Sequence, residues 1–219
     1  LMPGAAALVC EGALAAGASM IRLASRGDVE TLTLPVEVVR TSEVGIDARC
    51  RAVVAGPGLG EGAPAWLAER LATTSAPVVL DADGLDRDLI ASRPEESTWI
   101  LTPHAGEFAR LGAETSSERL VDVRAFAAAT RCVVLLKGPR TIVAAPDGRT
   151  RVVTSGTPAL ATAGSGDVLA GVIGALLAYG HDALSAAALG AHLHGRAGAR
   201  LAPGASALPA AVESMLARG

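Results

Sequence analysis

Ala163-Gly164-Ser165-Gly166-Asp167-Val168-Leu169-Ala170-Gly171 is the stretch on which the reading of this chain turns. Small residues end a loop there, and an apolar helical run begins at once. The first N–H groups of a helix have no intrahelical partner, and together with the helix dipole they form an anion site. Glycines at 164 and 166 let phosphate oxygens come close to those N–H groups. Asp167 falls in the first turn, where an acid is favoured on dipole grounds alone. It is also placed to take a proton from a hydroxyl that attacks a phosphoryl group. Gly-Ser-Gly before it and the apolar run after it favour the second reading. That run, 168–179, is too short to cross a bilayer and holds two glycines, so it reads as a buried helix.

Upstream, short apolar runs rich in β-branched residues recur at 21–24, 52–55, 78–80, 99–101 and 133–136. Strands apolar at nearly every position suit a parallel sheet buried on both faces. Helical stretches are expected between them at 5–16, 63–73, 105–111 and 117–130. The alternation predicts a layered α/β fold with a mostly parallel central sheet flanked by helices. Beyond residue 136, the segments 141–145 and 151–153 flank Pro146-Asp147-Gly148, which reads as a hairpin turn. Helices are expected at 164–179, 183–201 and 208–218. Residues 1–219 read as a single domain. An α/β domain ordinarily opens with a strand, whereas Leu1-Met2-Pro3-Gly4 leads straight into a helix, so the domain is expected to lack its N-terminal strand.

Four expected strands run into unusual loops: Gly56-Pro57-Gly58-Leu59-Gly60, Asp81-Ala82-Asp83-Gly84, Thr102-Pro103-His104-Ala105-Gly106-Glu107 and Lys137-Gly138-Pro139-Arg140-Thr141. Ligands in open α/β sheets bind beyond the carboxyl ends of strands, so four such loops on one edge indicate a site. The 56–60 loop does not match the dinucleotide spacing and lacks the lysine of a P-loop, so it reads as a tight turn or a close approach of backbone to ligand. Asp83 is expected to cap the next helix, and Asp81 is left between capping and holding a magnesium ion. His104 is either a solvated loop residue or part of the site. His192 and His194, two apart in a helix, face different ways and do not suggest a shared metal.

Composition excludes several classes. The net charge is -3 and the arginines are scattered, which argues against a nucleic-acid footprint. Cys10, Cys50 and Cys132 lie far apart, show no metal spacing, and read as core thiols of a reducing cytoplasm. Half the residues are hydrophobic but only five are aromatic, so the core must be mostly Ala, Val and Leu.

These segments resemble the ribokinase-like superfamily and, within it, the nucleotide-dependent NAD(P)H-hydrate dehydratases. The resemblance rests on Gly56 to Gly60, Thr102 to Glu107, Lys137 to Thr141 and Gly164 to Leu169, in matching order over most of the chain. It implies a ribokinase-like fold and a repair reaction, the removal of water from hydrated NADH or NADPH at the expense of ADP or ATP with Mg2+. By resemblance, Asp167 is the catalytic base and also touches substrate. Lys137, Gly138, Pro139, Arg140, Thr141, Gly164, Ser165 and Gly166 bind nucleotide, and Ala5, Gly58 and His104 line the substrate site. A cytoplasmic homo-oligomer, functionally linked to an NAD(P)H-hydrate epimerase, is implied too. No membrane or nucleic-acid partner is expected. Ala105, Ala159 and Ala163 depart from the family's usual proline and glycines. The alternatives are an alcohol kinase of the same superfamily and a degenerate nucleotide-binding domain without catalysis.

Overall fold

In the computed structural model, the described residues are 2–26, 32–41, 46, 48–113, 116–199 and 204–217. In chain order the elements are α1 (Pro3–Ala15), β1 (Ile21–Leu23), β2 (Val38–Arg40), β3 (Val53–Ala55), α2 (Ala63–Leu71), β4 (Val78–Leu80), α3 (Arg87–Ala91), β5 (Trp99–Leu101) and α4 (Ala105–Arg110). There follow α5 (Arg119–Thr130), β6 (Val133–Leu136), β7 (Thr141–Ala144), β8 (Thr150–Val153), α6 (Ser165–Ala178), α7 (Ala183–Gly198) and α8 (Leu208–Leu216). The main sheet has the order β3-β4-β5-β6-β7-β8. Its first four strands are parallel, with Val53 opposite Val78, Val78 opposite Trp99 and Ile100 opposite Val133. The last two strands form the expected antiparallel hairpin, closed by Gly148 N–H donating to the Ala145 carbonyl.

Strands β4, β5 and β6 are buried at every position, which is why they are apolar throughout, whereas β8, at the edge of the sheet, carries Thr150 and the exposed Arg151. Val79, Ile100, Leu135 and Val143 face a core shared with α6, α7 and α8. Val78, Leu80, Trp99, Leu101, Val134 and Leu136 face the opposite core, with Leu67, Phe108 and Val123 of α2, α4 and α5. The result is three layers, helix on sheet on helix. Helix α6 lies at the centre of its layer, and eleven of its residues are buried. It packs against α1 at very short range. A Cβ at Gly12 would lie 2.5 Å from the Val168 carbonyl oxygen, and one at Gly171 would collide with the Val9 carbonyl oxygen. Helix backbones approach this closely only where one side supplies glycine.

Several boundaries differ from the sequence reading. Ala24 and Ala52 fall outside their strands, and α2 ends at Leu71 because Ala72 and Thr73 turn toward β4. Strand β2 and the five-residue α3 are too short for periodicity to reveal. The expected ends of the last two helices, 200–201 and 218, lie outside the described residues. Cys10 and Cys132 are buried, while Cys50 is only partly so.

β1 pairs with β2 in a separate two-stranded parallel sheet. Between β1 and β3 lies a mainly apolar cavity of about 650 Å³, lined by Ile21, Leu23, Val53 and Val54 and floored by Cys10 and Gly174. Among the described residues, no helix is long and apolar enough to cross a membrane.

Candidate active site

The four loops converge at the carboxyl edge of the sheet. Gly56, at the end of β3, has φ +118°, and a Cβ there would collide with the Asp81 carbonyl oxygen. This glycine lets the β3 and β4 ends touch. Asp83 then ties the two loops together, its carboxylate accepting from Gly60 N–H at 2.9 Å. Asp83 therefore does not cap a helix. Asp86 caps α3, accepting from the N–H groups of Asp88 and Leu89. Local sequence offered three aspartates within six residues, and the position of the loop across the sheet edge selected among them.

Asp81 is 2% exposed. A carboxylate so buried needs a cation, because desolvation of an unpaired charge is costly. It has one in Lys137, whose Nζ donates to Asp81 Oδ1 at 2.8 Å. Lys137 sits at the end of β6, where its own N–H donates to the Pro103 carbonyl at 2.8 Å. Its ammonium lies 3.7 Å from Glu107 Oε2. A Cβ on Gly166 would stand 3.4 Å from Lys137 Nζ and 3.6 Å from Asp81 Oδ2. The cation therefore lies beside the glycine loop that opens α6.

His104 is the N-cap of α4. Its Nδ1 accepts from the N–H groups of Gly106 and Glu107, and Glu107 Oε2 reaches back to accept from His104 N–H at 2.7 Å. This reciprocal cap is built with histidine in place of the usual serine or threonine. With Nδ1 used as an acceptor, Nε2 carries the hydrogen; it lies 3.5 Å from Glu107 Oε1 on a side chain that is mostly exposed. Ala105 occupies the first helical position, where a proline would be accepted and alanine serves as well. Ala5, in the first turn of α1, lies against Gly58: a Cβ on Gly58 would stand 3.0 Å from the Ala5 Cβ. Met2 N–H donates to the Gly58 carbonyl at 3.0 Å, fixing the start of α1 to this edge.

Helix α6 opens at Gly164 with φ +86° as its N-cap. Ser165 Oγ donates to the Leu160 carbonyl at 2.7 Å and pins the preceding turn. Asp167 stands in the first turn. Burial, and next the negative charge of Asp81, push its carboxyl from 3.8 up to about 6; Lys137 opposes the shift and Asp83 adds to it. A carboxylate of that basicity is near the optimum for proton transfer at neutral pH. Ala163 is exposed and has no positive φ, so its methyl strains nothing. Gly138, Pro139 and Arg140 form an exposed loop, closed by Thr141 Oγ1 donating to the Gly138 carbonyl.

The sequence reading missed the role of two groups. Asp81 emerges as the ion-pair partner of Lys137. His194 is buried on the sheet side of α7 with the Ser165 backbone against its ring. Burial is the main cause that lowers its pKa to about 4, and its Nε2 has no partner. The H-x-H spacing gave only the correct statement that His192 and His194 face apart. Among the described residues, no group of three or more His, Cys, Asp or Glu side chains converges as a metal cage.

The family model described as NAD(P)H-hydrate dehydratase matches residues 1–217. The chain belongs to this family. It is 45% identical over 188 residues to the bifunctional NAD(P)H-hydrate repair enzyme of Mycobacterium tuberculosis, covering 81% of this chain and 39% of that protein. The corresponding enzyme of Gloeobacter violaceus is 40% identical over 195 residues, with 80% and 38% covered. The chain thus spans about two-fifths of the length of these curated relatives. Among solved structures, the ADP/ATP-dependent NAD(P)H-hydrate dehydratase of Bacillus subtilis, co-crystallised with ATP and Mg2+, superposes with a TM-score of 0.85 at 30% identity, covering 99% of this chain and 85% of that one. A ribokinase-like superfamily protein of Enterococcus faecalis has a TM-score of 0.78 at 22% identity, covering 98% and 82%, and shares the fold. The fold of this NAD(P)H-hydrate dehydratase family member is thus ribokinase-like, as its sequence implied.

Proposed function

We propose that this domain dehydrates hydrated NADH or NADPH, using ADP or ATP. One observation carries the reading: Asp167, a carboxylate raised to about 6, stands in the first turn of α6 beside the Lys137 ammonium. Nucleotide phosphates would lie on the backbone N–H groups of Gly164, Ser165 and Gly166, with Lys137 alongside and the 138–141 loop holding the rest of the nucleotide. Asp167 would take the proton from the ring hydroxyl as its oxygen attacks the terminal phosphorus, and the bond from that phosphorus to the rest of the nucleotide would break, releasing AMP from ADP or ADP from ATP. Hydroxide leaves poorly and phosphate leaves well, so the phosphorylated ring would then expel phosphate, pushed by the ring nitrogen lone pair, and loss of a proton from the adjacent ring carbon would restore the double bond. N–H groups aimed at the transferring phosphoryl stabilise its charge without reorganising. Ala5, Gly58 and the exposed His104 Nε2–H would face the hydrated nicotinamide.

Mg2+ would neutralise phosphate charge and hold the phosphoryl in line. With no carboxylate cage among the described residues, it would arrive on the nucleotide and keep most of its waters, as Mg2+ ordinarily does. Asp81 is committed to Lys137, Asp83 to Gly60 N–H and Glu107 to His104 N–H, which leaves Asp167 as the carboxylate beside the glycine loop without such a partner among the described residues.

The same reading includes a cytoplasmic setting, self-association, and partnership with an NAD(P)H-hydrate epimerase activity. The bifunctional names of the relatives support the last.

The test mixes protein, NADH hydrate, ADP or ATP, and Mg2+, and follows recovery of NADH absorbance. Recovery that depends on nucleotide is the expected result. No recovery with either nucleotide would refute the reading, and net ATP consumption with simple alcohols would replace it by an alcohol kinase.

A further inference from the structure

We propose that Asp81 is a positioning residue for phosphoryl transfer: from the end of β4 it anchors the Lys137 ammonium beside Gly166, so that the nucleotide phosphates meet a cation already in place. This rests on the roles given above to Lys137 and Asp167. A lysine side chain has four rotatable bonds and loses considerable freedom when held in one geometry. Something must hold it before the nucleotide arrives. Two carboxylates are within reach. Glu107 lies 3.7 Å away, and its Oε2 already accepts from His104 N–H. Asp81 lies at 2.8 Å, is almost wholly buried, and its N–H donates to the Ala55 carbonyl, which joins it to the β3 end. The carboxylate is therefore the fixed member of the pair and the ammonium, 22% exposed, the presented one.

The position of the pair has a second effect. Asp81 Oδ2 lies close to Gly166, one residue before Asp167. The charged groups acting on Asp167 are Asp81, Lys137 and Asp83. Neutralising Asp81 removes one negative neighbour and releases the lysine to move toward Asp167 or the phosphates. Both changes weaken Asp167 as a base. A positioned cation gives rate by holding the reacting groups in line, and displacement by about 1 Å can cost about a hundredfold.

The experiment compares the parent with Asp81→Asn. In steady-state assays kcat should fall about ten- to hundred-fold, while the nucleotide KM changes by less than about threefold. In a carbon-13 NMR titration of the side-chain carboxyls, the Asp167 midpoint should move to lower pH. A residue serving only to hold the fold would lower the melting temperature and leave kcat within about threefold of the parent's. Loss of the Asp81 charge alone lowers the Asp167 midpoint, so the fall caused by Asp81→Asn should be larger in the parent than in the Lys137→Met background, where no ammonium is released, and this comparison needs no turnover even if the parent proves inactive on NADH hydrate. If Asp81→Asn does not fold, the pair Lys137→Met and Asp81→Asn/Lys137→Met takes its place. The double variant should then be the more stable, because the stranded carboxylate is gone, and no slower than the single. A folded Asp81→Asn with kcat within about threefold of the parent and an Asp167 midpoint that falls no further than in the Lys137→Met background would overturn the proposal, as would a double variant less stable than Lys137→Met.

Discussion

Asp167→Asn should abolish turnover and stabilise the protein, and the stabilisation should depend on pH. In the folded protein the carboxyl titrates near 6, against 3.8 for its ordinary value. The folded state therefore holds this proton more tightly than the unfolded chain. Below about pH 4 the group is neutral in both states and costs nothing. As pH rises from 4 through 6, the folded state must give up a proton it prefers to keep, and stability falls. A shift of this size is equivalent to about 3 kcal/mol. Asp167 remains partly exposed, and solvent screening reduces that to about 1–2 kcal/mol. Asparagine has nearly the same shape and no charge to desolvate, so the variant escapes the penalty. Urea unfolding of both proteins at pH 4 and pH 8 measures it. The difference should be near zero at pH 4 and about 1–2 kcal/mol in favour of the variant at pH 8. Other titrating groups, His194 included, are common to both proteins and cancel in the difference. Dehydratase rate, taken alongside, should fall by about 10²–10⁴ for loss of a general base. A variant less stable than the parent at pH 8, or a gain of equal size at both pH values, would refute the electrostatic account. A rate above about a tenth of the parent's would remove Asp167 as the base.

Other substitutions test separate parts of the argument. Gly171→Ala should cost about 1–3 kcal/mol by forcing α1 off α6, seen as a fall in melting temperature; an unchanged melting temperature would contradict the close packing of the two helices. His194 prefers to be neutral in the fold, so stability should be full above pH 6.5 and lost as pH falls toward 4, by up to about 3 kcal/mol. His194→Gln should flatten that acid limb in denaturant titrations, and an identical limb would mean that the ring is not the group responsible. Gly56→Ala should disturb the contact between the β3 and β4 ends and weaken nucleotide binding measured by calorimetry; full affinity would show that the Asp81 end of the site does not depend on that approach. Ala163→Gly should leave dehydratase activity equal or higher, since the methyl is exposed on ordinary backbone; inactivity with an intact fold would show an unrecognised role.

The sequence by itself determined the features encoded within a few residues. Continuously apolar runs at 78–80, 99–101 and 133–136 told of strands covered on both faces, and Gly-Ser-Gly-Asp before an apolar run told where a helix would offer its free N–H groups. The hairpin at Pro146-Asp147-Gly148 was legible for the same reason, because turn chemistry is local. Tertiary structure alone decided the pairings. Asp81 and Lys137 stand 56 residues apart and meet because β4, β5 and β6 are neighbours in the sheet with their carboxyl ends level. Asp83 became a tie to Gly60 and left capping to Asp86, a choice that local propensity, equal for the two, could not make. His194 was hidden by the same limit: its helix was visible in the sequence, but the packing of that helix against Ser165 was not. Periodicity and turn propensity act over one or two turns of chain, whereas burial and charge pairing depend on which distant segments the sheet order brings within a few ångströms.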